Sequence, residues 1–373
     1  MEALSGLLTY VVPFLIVLSV VVFVHELGHY LIARWNGVKI ETFSIGFGSE
    51  LFGFTDKAGT RWKFAVLPLG GFVKMLGDAD ATSTTTDAEA ARSPDSFPAK
   101  SVWQRMAIVF AGPAANFVFA VAVLAVLFVL AGRPFTPPEV GMVNEDSPAA
   151  AAGMQVGDRI LSIDGQPIAS FEELQQIVQA SPDEPLALAI DRDGETIEMT
   201  VTPARSDLTD RFGTVHSVGL IGVGRSGVEF RQSNPGTALF EATYETGRMV
   251  VGTLAALGEM ITGARGTEEL GGPLRIAQMS GQVAQDGLVS AIWFTAVLSI
   301  NLGLINLFPV PMLDGGHLVM YGIEAARGRP LGERSQEMAF RVGLALVLSL
   351  MVFATWNDLV QLKVFSFFSG LVS

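Results

Sequence analysis

The sequence predicts a polytopic α-helical membrane protein, with a β-hairpin in its first loop and a small α+β domain outside the membrane. Half of the 373 residues are hydrophobic and only 16% are charged, which is too apolar for a soluble protein of this length. Crossing a bilayer takes about 20 apolar helical residues. Four stretches approach that length: Leu7 to Trp35, Met106 to Ala131, Val289 to Phe308 and Val342 to Leu362. About four transmembrane helices are therefore expected.

Composition also limits the ligands. The chain has no cysteine, so it can form neither a disulfide nor a thiolate metal site, and a metal would have to be held by His, Asp or Glu. Only four histidines are present, which narrows the search for such a site. The net charge of -13 argues against nucleic acid as a partner, because phosphate binding needs a concentrated basic surface.

The first stretch predicts a retained transmembrane helix in residues 1–36. No basic residue precedes its apolar run and no small-residue cleavage site follows it, unlike a removed signal peptide. The next loop, residues 37–104, is rich in Lys and Arg. The second span occupies residues 105–132, and the long segment that follows it is acidic. Loops with a high density of Lys and Arg favour the cytoplasmic side, whatever their content of Asp and Glu. We therefore expect the acidic segment and both termini on the other side.

A β-hairpin is predicted within the first loop. Arg61 to Met75 combines strand-forming apolar residues with Pro68, Gly70 and Gly71, which suggests a bent hairpin with an apolar surface. An ordinary surface hairpin fits the pattern equally well. Residues 78–99, rich in Asp, Ala, Ser, Thr and Pro, predict a mobile linker.

Residues 133–205 predict the extramembrane α+β domain. Three short motifs occur in order: Ser147-Pro-Ala-Ala-Ala-Ala-Gly153, Val156-Gly-Asp-Arg-Ile160 and Ile163-Asp-Gly165. Together they resemble the PDZ domains of bacterial envelope proteases. A strand is expected around Ile160 to Ile163 and a helix over Phe171 to Gln179. A PDZ domain binds extended peptide at a sheet edge. The alternative is a small β domain that only obstructs access.

Residues 206–287 contain a connecting strand and an amphipathic helix over Ala238 to Thr262. Its charged residues are too frequent for a spanning helix, so we expect it to lie along the membrane surface. A fifth crossing is the alternative. It would invert the last two spans, in residues 288–373, and separate the two halves of the site described next.

The motif His25-Glu26-Leu27-Gly28-His29 lies inside the first apolar span. Residues four apart share one face of a helix, so His25 and His29 can present two imidazoles to one zinc ion, with Glu26 beside it. Ionisable residues inside a span are expensive to desolvate, and a functional role is their default explanation. A polar patch used only for helix packing is the alternative.

Catalytic zinc usually has three protein ligands, so a third must come from elsewhere. In the third span, Pro309 and Pro311 break the helix just before Asp314-Gly-Gly-His317. Irregular backbone at membrane depth is tolerated where it lines a cavity. We predict Asp314 as the third ligand, with His317 as its competitor. His216, in the acidic segment, is expected to be unrelated.

The whole chain resembles the site-2 protease family of intramembrane metalloproteases, in particular its regulator-of-sigma-E protease branch. The resemblance rests on HELGH, PLGGFVKM, the PDZ motifs and NLFPVPMLDGGH. It implies one Zn(2+) ion bound by His25, His29 and Asp314, with Glu26 as the catalytic carboxylate of a metalloendopeptidase. The expected substrate is a single-span membrane protein, cut within or beside its transmembrane segment.

The resemblance also assigns substrate-binding residues. It implies that Asn301 and Asn306 hold the substrate backbone, and that Gly70 and Gly71 belong to a membrane-reentrant β-hairpin beside the active site. The best-known relatives have two PDZ domains in tandem, whereas only one convincing copy is found here. A gate made of two modules is therefore not expected.

Finally, the resemblance implies a bacterial inner-membrane location, with the PDZ domain and both termini in the periplasm. The implied substrate is an anti-sigma factor already trimmed by a site-1 protease, and remnant signal peptides are a second class. Two other functions remain open at this point. They are a catalytically inactive PDZ scaffold and a zinc transporter.

Overall fold

The computed structural model describes residues 2–78, 92–209, 215–263, 266 and 271–361. The chain divides into two compact units. The first comprises Met1–Ala125, Leu239–Leu254 and Thr267–Ser373, and the second comprises Val126–Ala238 and Ala255–Gly266. The long helices are α1 (Glu2–Trp35), α2 (Val102–Leu130), α5 (Pro235–Thr262), α6 (Pro273–Gln285), α7 (Leu288–Asn306), α8 (Asp314–Arg327) and α9 (Glu333–Gln361).

Among the described residues, four helices are long and apolar enough to cross a membrane, which confirms the predicted multi-pass architecture. The four segments are Leu8–Trp35, Val102–Leu130, Leu288–Asn306 and Arg334–Val360. Helix α5 is not among them: its 28 residues are long enough for a crossing, but they are not apolar enough.

The fourth span begins earlier than the predicted Val342. The charged residues before it continue the helix, with Glu337 and Arg341 forming an ion pair one turn apart at 2.6 Å. Its predicted end, Leu362, lies outside the described residues.

Strands β1 (Ile40–Thr55) and β2 (Arg61–Met75) form the hairpin. The prediction that 61–75 bends was correct, but this segment is one arm of the hairpin. Phe43 pairs with both Val73 and Trp62, so residues 40–45 lie between 71–75 and 61–64. Residues 50–55 pair with the other side of 61–65. The two arms thus fold back together, and the bends fall at Gly46, Gly48 and Gly70, which have positive φ.

The predicted linker 78–99 is only partly a separate segment. Residues 79–91 lie outside the described part of the chain. At its end, however, Ser96 is fully buried and Phe97 packs into a cluster with Val38, Ile40 and Ile108. The Phe97 N–H also donates to the carbonyl oxygen of Leu76 at 2.9 Å. The prediction of mobility was wrong for these residues, because Phe97 gains a buried apolar site.

Helix α6 was not predicted. It packs against α1, where Gly281 lies against Tyr10. Its first turn has no side-chain cap of its own. Instead, the Asp358 carboxylate of α9 accepts hydrogen bonds from the N–H groups of Gly272, Leu274 and Arg275 at 2.8 to 3.1 Å. Its 13 residues are too few and too polar for a membrane span, so a search for spanning stretches passes over it.

The second unit is the predicted α+β domain. The remaining helices are α3 (Pro148–Ala151) and α4 (Phe171–Ala180), and the strands are β3 (Arg133–Phe135), β4 (Val140–Val143), β5 (Arg159–Ile163), β6 (Gln166–Pro167), β7 (Leu186–Arg192), β8 (Glu195–Val201), β9 (Ala204–Thr209), β10 (Val215–Leu220), β11 (Val223–Arg225) and β12 (Glu229–Arg231). The expected strand and helix correspond to β5 and α4. Gly153, Gly157 and Gly165 all have positive φ, as their turn positions require.

This unit extends beyond residue 205, where the predicted domain ended. The largest sheet has the order β6-β5-β7-β8, and α4 packs onto a core that includes Ile160, Leu174 and Ile190. Strand β11 returns to pair with β4, and β12 pairs with β3. These pairings join strands about 80 to 100 residues apart in sequence, which a local pattern does not reveal.

Candidate metal centre

Helix α1 presents His25 and His29 on one face. Their Nε2 atoms lie 3.3 Å apart, and both histidines are buried, with 8% and 9% exposed. Their separation of four residues produces this geometry, because it brings side chains one turn apart onto the same side of a helix. Two imidazole nitrogens therefore point to a common position inside the protein.

Asp314 comes to the same position from the opposite end of the chain. Helix α7 ends at Asn306, and the prolines at 309 and 311 hold the following backbone out of helical geometry. Met312 takes a positive φ of 83°, and Asp314 then begins α8. As a result, Asp314 Oδ2 lies 3.1 Å from His25 Nε2 and 3.5 Å from His29 Nε2.

The distances among these three atoms fit a zinc ion. Tetrahedral ligands about 2.0 to 2.1 Å from zinc lie about 3.3 to 3.4 Å from one another. The observed separations of 3.1, 3.3 and 3.5 Å bracket that value. Asp314 Oδ2 is also a buried oxygen without a hydrogen-bond donor, as expected of an atom reserved for a cation. Among the residues described, this group is the one cluster that could hold a metal.

Glycines let α2 approach the two histidines. A Cβ on Gly28 would lie 2.7 Å from Cβ of Ala115, and a Cβ on Gly112 would lie 2.5 Å from Cε1 of His29. Both distances are too short for a side chain. This close approach places the Ile108 carbonyl oxygen 2.9 Å from His29 Nδ1. Such a contact fixes the ring and leaves its Nε2 free for a metal.

Glu26 lies beside the cluster, in a cavity of about 730 Å³. The hairpin forms another wall. Gly71 reaches α1 so closely that a Cβ there would lie 2.9 Å from Val22 and 3.2 Å from Cγ of Glu26. The cavity is also lined by Gly70, Asn306 and His317. It is therefore large enough for several residues of extended peptide next to a carboxylate.

The predicted residues are not all found together. The three proposed ligands, Glu26, Gly70, Gly71 and Asn306 line the cavity, and His317 lines it without joining the ligand cluster. Asn301 does not line it. Its Oδ1 accepts a hydrogen bond from Thr253 of α5 at 3.4 Å. His216 lies in β10 of the second unit.

Sequence reasoning missed the contribution of α2. Gly112 faces His29, and Asn116 Nδ2 lies 3.2 Å from His25 Nδ1. Both residues occur in Gly112-Pro-Ala-Ala-Asn116, in the middle of an apolar span. A buried polar residue within a span could have signalled a functional contact, since its desolvation requires a partner.

Comparison with known proteins agrees with this geometry. The sequence profile described as Peptidase family M50 matches residues 13–350. A protein of Agrobacterium fabrum that carries the name of a zinc metalloprotease is 46% identical over 370 residues, with 96% of this chain and 98% of that protein covered. The Metalloprotease MmpA of Caulobacter vibrioides is 41% identical over 394 residues, with 98% of this chain and 99% of that protein covered.

Among solved structures, the PDZ domain of the SdrC-like protein from Listeria monocytogenes matches 24% of this chain and 88% of that domain. The identity is 21% and the TM-score is 0.20. The family itself is shown by the profile and by the full-length relatives. The chain belongs to peptidase family M50, the site-2 protease family, and is a membrane zinc metalloprotease.

Proposed function

We propose that this protein hydrolyses peptide bonds within or beside the transmembrane segment of single-span membrane proteins. In this proposal, His25, His29 and Asp314 bind zinc and Glu26 is the catalytic carboxylate. The observation that carries it is the convergence of three ligand atoms, 3.1 to 3.5 Å apart, in a cavity that Glu26 also lines.

The chemistry divides between the metal and the chain. When bound, zinc supplies Lewis acidity, which makes water a better nucleophile and stabilises negative charge on an attacked carbonyl oxygen. Glu26 accepts the proton of the attacking water and returns it to the nitrogen of the leaving amine. The buried histidines keep the ligand set fixed, so little reorganisation is needed during the reaction.

The substrate must be unwound before it is cut. Carbonyl groups in a transmembrane helix already accept backbone hydrogen bonds, and breaking these in lipid is costly without replacement partners. Residues 71–75 pair with 40–45 on one side, and Gly71 and Val73 line the cavity. We propose that this hairpin edge binds the extended substrate by strand addition. The Asn306 amide, which also lines the cavity, supplies further hydrogen bonds in this proposal.

In this arrangement Gly70 and Gly71 contribute backbone groups to the binding edge, since a side chain at Gly70 would meet Phe47 and one at Gly71 would meet α1. The Asn301 assignment rests on the family resemblance alone, and its contact with Thr253 favours a role in holding α5 against α7.

The hairpin is proposed to enter the bilayer. Its exposed side chains near the bends are large and apolar: Phe47, Leu51, Phe52, Val66, Leu67 and Leu69. Water-exposed apolar clusters of this kind mark membrane or protein contacts. Reentry would hold the binding edge at the depth where α1 carries Glu26.

The natural substrate is proposed to be an anti-sigma factor, first trimmed by a site-1 protease, as in the regulator-of-sigma-E branch. Remnant signal peptides are the second class. A bacterial inner-membrane location, with the PDZ-like domain and both termini in the periplasm, is proposed from the resemblance to that branch, and the higher density of Lys and Arg in the first loop supports this orientation. Cleavage of full-length and pre-trimmed substrate should be compared with and without residues 136–228, a deletion that leaves the paired strands β3 and β12 to be joined by a short linker. If the deletion abolishes the preference for pre-trimmed substrate, this domain is what excludes untrimmed substrate.

The direct experiment uses the Glu26→Gln variant of the purified full chain with a single-span model substrate. Cleavage should disappear while zinc content stays at one ion per chain, because Gln keeps the shape but cannot accept the proton. Glu41→Gln, which removes a carboxylate of the hairpin paired with Lys74, is the matched control. Substantial cleavage by Glu26→Gln would remove Glu26 from its role. Zinc flux into vesicles without proteolysis would instead support a transporter.

A further inference from the structure

Asn116 is a fully buried polar residue of α2 that the proposed reaction does not use. Its Nδ2 lies 3.2 Å from His25 Nδ1, and its Oδ1 has no hydrogen-bond partner among the described residues. A buried oxygen without a donor is unfavourable, so this orientation of the amide calls for an explanation. The neighbouring histidine provides one.

The tautomer of His25 decides which atom of the amide it requires. His25 Nε2 is the nitrogen that faces Asp314 Oδ2 and His29 Nε2, so it is the ligating atom. A neutral imidazole that ligates through Nε2 has its proton on Nδ1. That Nδ1–H group needs an acceptor, and the amide nitrogen of Asn116 cannot be one.

A half-turn of the amide group resolves the mismatch. The oxygen and nitrogen of an asparagine occupy nearly equivalent positions, and hydrogen bonding decides which is which. With Oδ1 directed to His25, the orphaned oxygen gains a donor and the histidine gains an acceptor. His29 shows the same pattern, since its Nδ1 lies 2.9 Å from the Ile108 carbonyl oxygen, also on α2.

Asn116 is held in place by the helix that leads to the third ligand. Ser299 Oγ of α7 donates to the backbone carbonyl oxygen of Asn116 at 3.0 Å. Gly303, one turn further on, approaches so closely that a Cβ there would lie 3.2 Å from Cβ of Asn116. The backbone and Cβ of Asn116 are therefore packed against α7, which sets the position from which its amide reaches His25.

We infer that Asn116 is a positioning residue for zinc, whose Oδ1 accepts the Nδ1–H of His25 and thereby fixes the tautomer that ligates through Nε2. This inference rests on the proposed ligand set. Metal-ligating histidines usually donate their second N–H to such a partner, and loss of that partner lowers metal affinity by about 10- to 100-fold. A role in helix packing alone would predict no dependence on an acceptor.

Zinc affinity of the purified full chain separates these two roles. Asn116→Leu keeps the approximate volume but removes the acceptor, and it should weaken zinc binding by about 10- to 100-fold in competition with a chelator. Asn116→Asp keeps an acceptor and should retain affinity close to that of the unaltered chain. Thr295→Ala, which removes a hydroxyl of α7 whose hydrogen bond lies within its own helix, is the packing control and should leave affinity unchanged.

The outcomes are distinct. If the unaltered chain does not retain zinc, the proposed ligand set itself fails. If it retains zinc but Asn116→Leu binds equally well, or Asn116→Asp is as impaired as Asn116→Leu, the positioning role is refuted.

A second measurement leaves Asn116 unaltered and so does not depend on how the Asn116 variants fold. The measurement is NMR of the zinc-loaded chain labelled with ¹⁵N-histidine. The chain contains four histidines, so replacing His216 and His317 in turn identifies their signals and leaves those of the two proposed ligands. The Nδ1 of His25 should carry a hydrogen-bonded proton while its Nε2 shows metal coordination. Coordination through Nδ1, with the proton on Nε2, would overturn the inference.

Discussion

Replacing Gly112 with alanine should remove zinc by adding a single methyl group. The new Cβ would lie 2.5 Å from Cε1 and 2.9 Å from Cδ2 of His29, and closer still to Nε2. These atoms belong to the proposed ligand itself. Alanine is otherwise the more favourable residue in a helix, by about 0.8 to 1.0 kcal/mol, so helix propensity predicts no loss of folding.

The size of the effect follows from the distances. To restore ordinary contact, at about 3.4 Å or more, the His29 ring must move by about 1 Å. Zinc–ligand distances tolerate about 0.2 Å. The ring cannot make this movement and keep its bond to the metal. We therefore expect zinc affinity to fall by at least about 100-fold, beyond the usual 10- to 100-fold effect of losing an indirect partner.

The assay is chelator competition on the purified chain in detergent, with circular dichroism to verify helical content. Gly322→Ala on α8 is the control, because nothing lies within 4 Å of a Cβ at that position. It should bind zinc normally. Full zinc affinity in a folded Gly112→Ala chain would refute the close packing of α2 on His29.

Three other perturbations test neighbouring features. Asp358→Ala leaves three N–H groups of the α6 N-terminus without their acceptor and should lower stability by about 3 kcal/mol or more, measured by denaturant titration. Gly343→Ala places a Cβ 2.6 Å from the carbonyl carbon of Pro311, so it should displace the segment before the third proposed ligand and weaken zinc binding at least tenfold in chelator competition. In the second unit, burial raises the pKa of Asp158, whereas hydrogen bonds from Arg192 and from a backbone N–H lower it. The lowering is the larger effect, so the pKa of Asp158 is below the usual range. A lowered pKa stabilises the folded unit at higher pH, and this contribution is lost as pH falls below about 4, which hydrogen exchange of this unit should detect.

Each of these has a contradicting result. Unchanged stability of Asp358→Ala would mean that water or another group caps α6. Normal zinc affinity of Gly343→Ala, with Gly332→Ala as the unhindered control, would show that the segment can shift without moving the ligand. If Asp158→Asn loses protection from exchange below pH 4 as steeply as the unaltered chain, another group is responsible.

The sequence predicted the parts of the site that depend on local geometry. His25 and His29 are four residues apart on one helix, and this spacing alone places them on a common face. Pro309 and Pro311 marked the end of α7, because proline cannot continue a helix. Asp314 followed from the need for a third ligand at that break.

The contacts that the sequence did not predict join residues far apart in the chain. Asn116 and His25 are 91 residues apart, and their contact depends on glycines that bring α1 and α2 together. The arrangement of the hairpin depends on two glycine bends that reverse both of its arms. Neither feature has a periodic pattern. In contrast, helix α5 was predicted from its amphipathic spacing, and its bounds differ from the predicted ones by only three residues at its start.

X-ray absorption at the zinc edge of the purified chain measures the ligand set itself. Two imidazole nitrogens and a carboxylate oxygen at about 2.0 Å are expected for the unaltered chain, and loss of most bound zinc is expected for Asp314→Asn. Three imidazoles around the metal, or a zinc content unaffected by Asp314→Asn, would shift the third ligand to His317 and contradict the proposed centre.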